Sequence, residues 1–332
     1  MWHYFALLCC AWLSLCSAMS SYATVLIDEN FQHAALGTEL SYFCDTSNQL
    51  TLEEVKEKIF TPVAKPEVSF GYNKPSCWFK FEAENQHAFP VQLVLSNNYN
   101  TFDRIDIFFR LGDSIQQKSI GDTVDYSSRE LQVRTLATPI DLPARSEVQF
   151  YIKAQTTGNF YLPLEMSTYN YFLTAGKQYE NILGIGYGIV VGLFFYHLFL
   201  LFLTKEKVQF FYILYVGCTL LFFASQQGSL FQFWPKSPQW NHLSFYSFCL
   251  LALSSGLFFS RLFLNTKNNI ILHKWMKNFA IILALLSIFH VFLPTPLISI
   301  ACSIFGLLLI IALFIIAFRR YIEGFSEATL FL

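Results

Sequence analysis

Two regimes of hydrophobic patterning divide the chain: apolar and polar residues alternate in short runs from Thr24 to about Tyr171, and long uncharged stretches follow from Ile182 onward. The first regime predicts strands. In Cys77 to Ala83, the side chains of Cys77, Phe79, Phe81 and Ala83 fall on one face, and those of Trp78, Lys80 and Glu82 on the other. The same period of two recurs at Val91, Leu93 and Leu95, at Ile105, Ile107 and Phe109, and at Val148, Phe150, Ile152 and Ala154. Turn-forming pairs separate these runs: Asn97-Asn98, Gly112-Asp113, Gly121-Asp122 and Gly158-Asn159, with Pro143. Several short alternating strands at this spacing predict an antiparallel sandwich of jelly-roll type over residues 24–175. One helix interrupts it, because Thr51 and Glu54 form a capping box ahead of Leu52, Val55 and Ile59 on a common face.

The second regime predicts membrane spans. Ile182 to Leu203 carries no charge and, as a helix, reaches about 33 Å, the depth of a bilayer's hydrocarbon core. Further runs cover Val208 to about Ser225, Leu243 to Leu264, Phe279 to Leu293 and Leu297 to Phe318. A sixth begins near residue 327 and stops, which predicts a fragment or truncated frame lacking further spans and a cytoplasmic domain. The connection Gln226 to His242 is rich in aromatics, with Phe231, Phe233, Trp234 and Trp240 suited to a headgroup interface. Lys205 and Lys207 follow the first span. Arg261, Lys267, Lys274 and Lys277 follow the third, and Arg319 and Arg320 the fifth, while the intervening connections offer only Lys236. By the positive-inside rule the odd spans run inward and the strand-rich domain lies outside the cytoplasm. Residues 1–23 point the same way: an apolar stretch ends in Ser21-Tyr22-Ala23, the small-residue spacing of a signal-peptide cleavage site, although the segment lacks Lys and Arg.

Composition agrees with a membrane protein: 54% of the 332 residues are hydrophobic, 14% are charged and 37 are Phe. The net charge of −1 says nothing of partners, and no block of basic residues points to nucleic acid. Cys44 and Cys77 are the cysteines of the polar part, and an oxidising compartment would let them pair. No Cys-x-x-Cys occurs and the seven His are scattered, so spacing gives no metal site. Neither a phosphate-binding glycine loop, nor a Gly-x-Ser-x-Gly elbow, nor a His-Glu-x-x-His appears, so no enzyme and no cofactor is expected.

Ordered motifs carry a family resemblance over roughly residues 50–320. They include Leu50 to Val55, Gly71-Tyr72, Cys77 to Phe81, Phe102 to Phe108, Gly121-Asp122 with Arg129, and Leu162-Pro163-Leu164. In the apolar part they are Gly186-Tyr187-Gly188, Tyr196 to Phe199, Phe211-Tyr212 and Gly228 with Gln232 to Pro235. The chain resembles the bacterial seven-transmembrane receptors with diverse intracellular signalling modules, the 7TMR-DISM family, with their type 2 extracellular domain. His197 departs from the Asn expected there. The resemblance implies a β-sandwich ectodomain akin to carbohydrate-binding modules, seven spans in the bacterial inner membrane, and a cytoplasmic kinase, cyclase or phosphatase as output.

The expected partners are therefore a small extracellular ligand, with carbohydrate a candidate, the bilayer, and a cytoplasmic signalling protein. The spacing of Gly184, Gly188 and Gly192 would let helices approach closely, as in a homodimer. Candidate ligand contacts are Trp78, Asp103, Arg104, Asp122, Tyr126 and Arg129, an aromatic platform with planar polar groups of the kind sugars require. The bland alternatives are a core Trp78 and a surface Asp103-Arg104 pair. A transporter or a scaffold with an accessory outer domain is the rival function.

Overall fold

The computed structural model describes residues 24–72 and 76–331, so the predicted signal sequence lies outside the described residues. The alternating segments form a two-sheet sandwich. One sheet runs β4 (Thr61–Pro62), β3 (Ser41–Cys44), β6 (Ser76–Asn85), β11 (Glu147–Gln155), β8 (Arg104–Leu111) and β9 (Ser114–Ile120). Its neighbours pair antiparallel, while β1 (Thr24–Ile27) joins the far end of β6 in parallel. The second sheet runs β10 (Leu136–Leu142), β7 (Val91–Asn97), β13 (Leu164–Thr168) and β2 (His33–Ala35). A separate ribbon pairs β5 (Val68–Gly71) with β12 (Phe160–Leu162).

Register turns the period of two into a core. Phe79, Ile152 and Ile107 stand side by side across three strands, as do Phe81, Phe150 and Phe109. They meet Leu93, Leu95, Ile140 and Met166 from the facing sheet, all buried in one cluster. Cys44 lies opposite Cys77 in the β3–β6 ladder, and the two form a disulfide.

On the outer face of β6, Trp78 is covered by α1 (Leu52–Lys56). The capping box forms, with the Thr51 backbone N–H donating to Glu54 Oε2 at 2.8 Å. The helix is shorter than the pattern predicts. It ends before Ile59, which is 90% exposed, and Phe60 instead closes the small cluster of Val55, Trp78 and Tyr151.

Among the described residues, five helices are long and apolar enough to cross a membrane: α2 (Tyr169–Thr204), α3 (Lys207–Gln226), α4 (Pro238–Phe263), α5 (Ile270–Phe289, extended by a 3-10 turn to Phe292) and α6 (Thr295–Ile322). The first starts well before its apolar run. Thr168 ends β13 and also caps α2, its Oγ1 accepting from the Tyr171 N–H at 3.3 Å, so strand passes into helix without a linker. α4 is the central helix: Tyr246, Leu250 and Leu257 share a core with α5 and α6, and Phe245 and Phe258 pack on Phe222 and Phe211 of α3. The residues from Ser326 to Phe331 do not extend α6 but form a 3-10 turn, and Phe331 folds back onto Phe259 and Phe263 of α4.

Candidate functional site at the seam between sandwich and bundle

Two loops of the sandwich meet the α3–α4 end of the bundle. One follows β7, from Asn98 to Asp103; the other follows β9, from Gly121 to Thr135, and contains a 3-10 turn at Tyr126–Ser128. Both land on the connection between α3 and α4. Asn100 Nδ2 donates to the Gln227 carbonyl at 2.8 Å, and an Arg134 guanidinium nitrogen reaches the same oxygen at 3.1 Å. Arg134 also pairs with Glu180 of α2 at 2.7 Å and lies over the Tyr179 ring. The Tyr126 N–H donates to the Pro235 carbonyl at 2.9 Å.

Arg129 anchors this contact. It is buried, its guanidinium 5.0 Å from the Tyr126 ring and 5.2 Å from the Phe231 ring of the α3–α4 connection. It donates to the carbonyls of Gly121 at 2.8 Å and Val133 at 3.4 Å, while its Nε has no partner. Burial pulls its pKa down to about 10, against the opposing influence of Tyr126 and Asp122.

Beside it sit two carboxylates and an imidazole. Asp122 is only 3% exposed; its Oδ2 lies 3.1 Å from His242 Nδ1 on α4, and its Oδ1 has no hydrogen-bond partner among the described residues. Asp103 accepts from the Thr157 N–H at 2.9 Å, the Thr157 hydroxyl at 2.8 Å and the Thr156 hydroxyl at 3.2 Å. Burial and then the nearby Asp122 charge hold the Asp103 carboxyl above the usual range. Gly121 makes the close approach possible, since a Cβ there would stand 2.1 Å from the Asp103 carbonyl oxygen. Ligating atoms of Asp103, Asp122 and His242 all lie within 4.8 Å of one another.

A chamber of about 420 Å³ opens next to this cluster. Its upper wall is sandwich, with Tyr72, Tyr99, Thr101, Asp122 and the Gly158-Asn159 turn. Its lower wall is bundle, with Gln226 and His242 near the seam and Phe222, Phe245 and Leu253 deeper in. A molecule held there touches both domains at once, polar above and apolar below.

Family comparison matches the same two parts. The model for the 7TMR-DISM extracellular 2 domain covers residues 37–168, and that for the 7TM diverse intracellular signalling domain covers residues 179–332. The chain belongs to the 7TMR-DISM family. No curated protein matches it. The sandwich is thus the extracellular domain of a 7TMR-DISM protein and the helices its membrane domain, which makes the seam just described the junction of the two family modules.

The six residues singled out in the sequence separate in the structure of this 7TMR-DISM chain. Asp103, Asp122, Tyr126 and Arg129 gather at the seam. Trp78 is 1% exposed beneath α1, stacked on Phe108, so it offers no ring face to a sugar. Arg104 points away from Asp103 and pairs with Asp106 at 2.9 Å on the outer sheet face. The intramembrane histidines make contacts within the bundle: His197 bonds Gln209 and packs on Tyr212 of α3, and His290 is buried against the Leu243 carbonyl of α4. The α2 glycines Gly184, Gly186, Gly188 and Gly192 have open space where a Cβ would stand, with no other part of the described chain within 4 Å of it. Sequence reasoning missed His242, Tyr99, Asn100 and Arg134. The available signal was His242 itself, an ionisable side chain at the mouth of an apolar run.

Proposed function

We propose that this chain is a sensory receptor of the bacterial inner membrane in which a small extracellular molecule binds the seam chamber and biases how the sandwich sits on the bundle. The carrying observation is that both domains line one chamber. A ligand shifts an equilibrium only through different affinities for its two states, and a site split across a seam changes shape whenever the two halves move. A volume of about 420 Å³ suits a small molecule. The walls favour one with a polar end for Asp122, His242 and Tyr99, and a less polar end for Phe222 and Phe245. A carbohydrate platform at Trp78 finds no support, because that ring is covered.

Transmission follows from the β13–α2 continuity. Movement of the sheet turns or tilts α2, and the basic residues at its far end face the cytoplasm, where a kinase or cyclase would read it. The test uses the whole chain in lipid nanodiscs, titrated calorimetrically with a panel of periplasmic metabolites and sugars. The expected result is saturable binding that Tyr99→Ala and Phe245→Ala each weaken at least about tenfold, or about 1.4 kcal/mol. Binding that both variants leave unchanged, or heat from no compound, overturns the chamber as the sensory site.

A further inference from the structure

We infer that Asp103, Asp122 and His242 form a binding site for a divalent transition-metal cation of the zinc class, placed where it ties the extracellular domain to the membrane domain. Three independent segments supply the ligands: the loop after β7, the loop after β9 and the first turns of α4. Their ligating atoms already lie within 4.8 Å of one another. Around a cation with bonds of about 2.1 Å the donors stand roughly 3.4 Å apart, so rotation of the side chains by about an ångström completes the set.

The independent sign of a missing partner is Asp122. Its side chain is only 5% exposed, yet Oδ1 accepts from nothing among the described residues. An unsatisfied buried carboxylate oxygen is costly, and two carboxylates brought together cost more. Arg129 does not resolve this directly, since its hydrogen bonds go to the Gly121 and Val133 carbonyls. The charge of the two carboxylates is balanced by a divalent cation once the His242 imidazole gives up any proton it holds towards Asp122.

Donor type narrows the cation. Imidazole is a poor ligand for magnesium or calcium, and none of the three donors is a thiolate to favour copper(I), whereas mixed carboxylate and imidazole donors suit zinc and its neighbours. Asp122 and His242 also line the chamber, so a bound cation keeps one coordination position open towards it. There it would hold water or an oxygen of the chamber's occupant. This site goes beyond the receptor reading and does not depend on it.

The test strips the full chain, in detergent, with a chelator and then dialyses it against Zn²⁺. One retained equivalent per chain is expected, and Asp122→Asn, His242→Gln and Asp103→Asn each lower its affinity at least about tenfold. Arg104→Ala, on the outer sheet face, leaves it unchanged. Retention unaffected in both Asp122→Asn and His242→Gln, or no retained equivalent in the wild type, overturns the site. X-ray absorption of the loaded wild type keeps the proposal testable if the variants fail to fold. A nitrogen and oxygen shell with one imidazole is expected; sulfur in the shell, or no imidazole, refutes it. Calorimetry of the chelator-treated protein with chamber ligands separates the two ideas, because the sensory reading stands or falls on that binding and the metal site does not.

Discussion

Residue identity decides which side of a sheet a function can use, and Trp78 shows how. Its odd-numbered neighbours enter the main core, so parity places it on the opposite face of β6, where α1, Phe108 and Lys153 enclose it. A tryptophan so enclosed is structural: Trp78→Ala should cost about 3–5 kcal/mol, read as a drop in the urea midpoint of the sandwich. Arg104→Ala, by contrast, removes a half-exposed guanidinium from an Asp106 that Ser119 also holds, and should lower stability by no more than about 1 kcal/mol. The Cys44–Cys77 bond closes a segment with a sequence separation of 33, which in the chain-entropy treatment corresponds to about 3–4 kcal/mol. Replacing both by Ser should lower stability by that amount, and adding reductant to the wild type should reproduce the loss. Parity alone placed Trp78 off the main core, but it could not say whether the other face was open or covered. That was settled by α1, whose capping box was legible while its docking position was not.

At the scale of elements, the patterns that depend on local order were readable and those that depend on meeting were not. The period of two located β6, β7, β8 and β11, and each of the five long apolar runs marked a helix, while the short run from residue 327 did not. The beginning of α2 escaped because Tyr169 to Asn181 is polar enough to resemble a linker, yet Thr168 caps it and Arg134 holds Glu180 against the sandwich. The seam escaped for a stronger reason. Asp122 and His242 are separated by 120 positions, and no spacing rule joins residues so far apart. Continuity of β13 with α2 makes a mechanical prediction. Inserting Gly-Ser-Gly after Thr168 should leave ligand affinity within about twofold, since no residue lining the chamber belongs to β13 or α2, while uncoupling the cytoplasmic end of α2. Spin labels at Thr204 and Phe318 report the outcome: a ligand-dependent distance change in the wild type, and none in the insertion. An unchanged response would mean that the signal passes through α4 instead.

Across the whole molecule, charge and contact agree on one orientation. The sandwich touches the bundle at the start of α2, at the α3–α4 connection, at His242 and, through Tyr72 and Ser299, at the start of α6. Every one of these points lies at the same end of the helices. The opposite end carries Lys205, Lys207, Arg261, Lys267, Lys274, Arg319 and Arg320, close to the α2–α3 and α4–α5 turns and the end of α6. A bilayer around the exposed apolar side chains of α2, α5 and α6 therefore divides the two sets, with the sandwich outside and the basic turns in the cytoplasm. Reporter fusions make this measurable. Alkaline phosphatase joined after Thr204, Lys267 or Arg320 should be inactive and a cytoplasmic reporter there active, whereas fusions after Gln232 or Pro294 should show the reverse. If the first three sites prove periplasmic, the sandwich and its chamber face the cytoplasm. No extracellular molecule could then reach the seam, whatever its affinity.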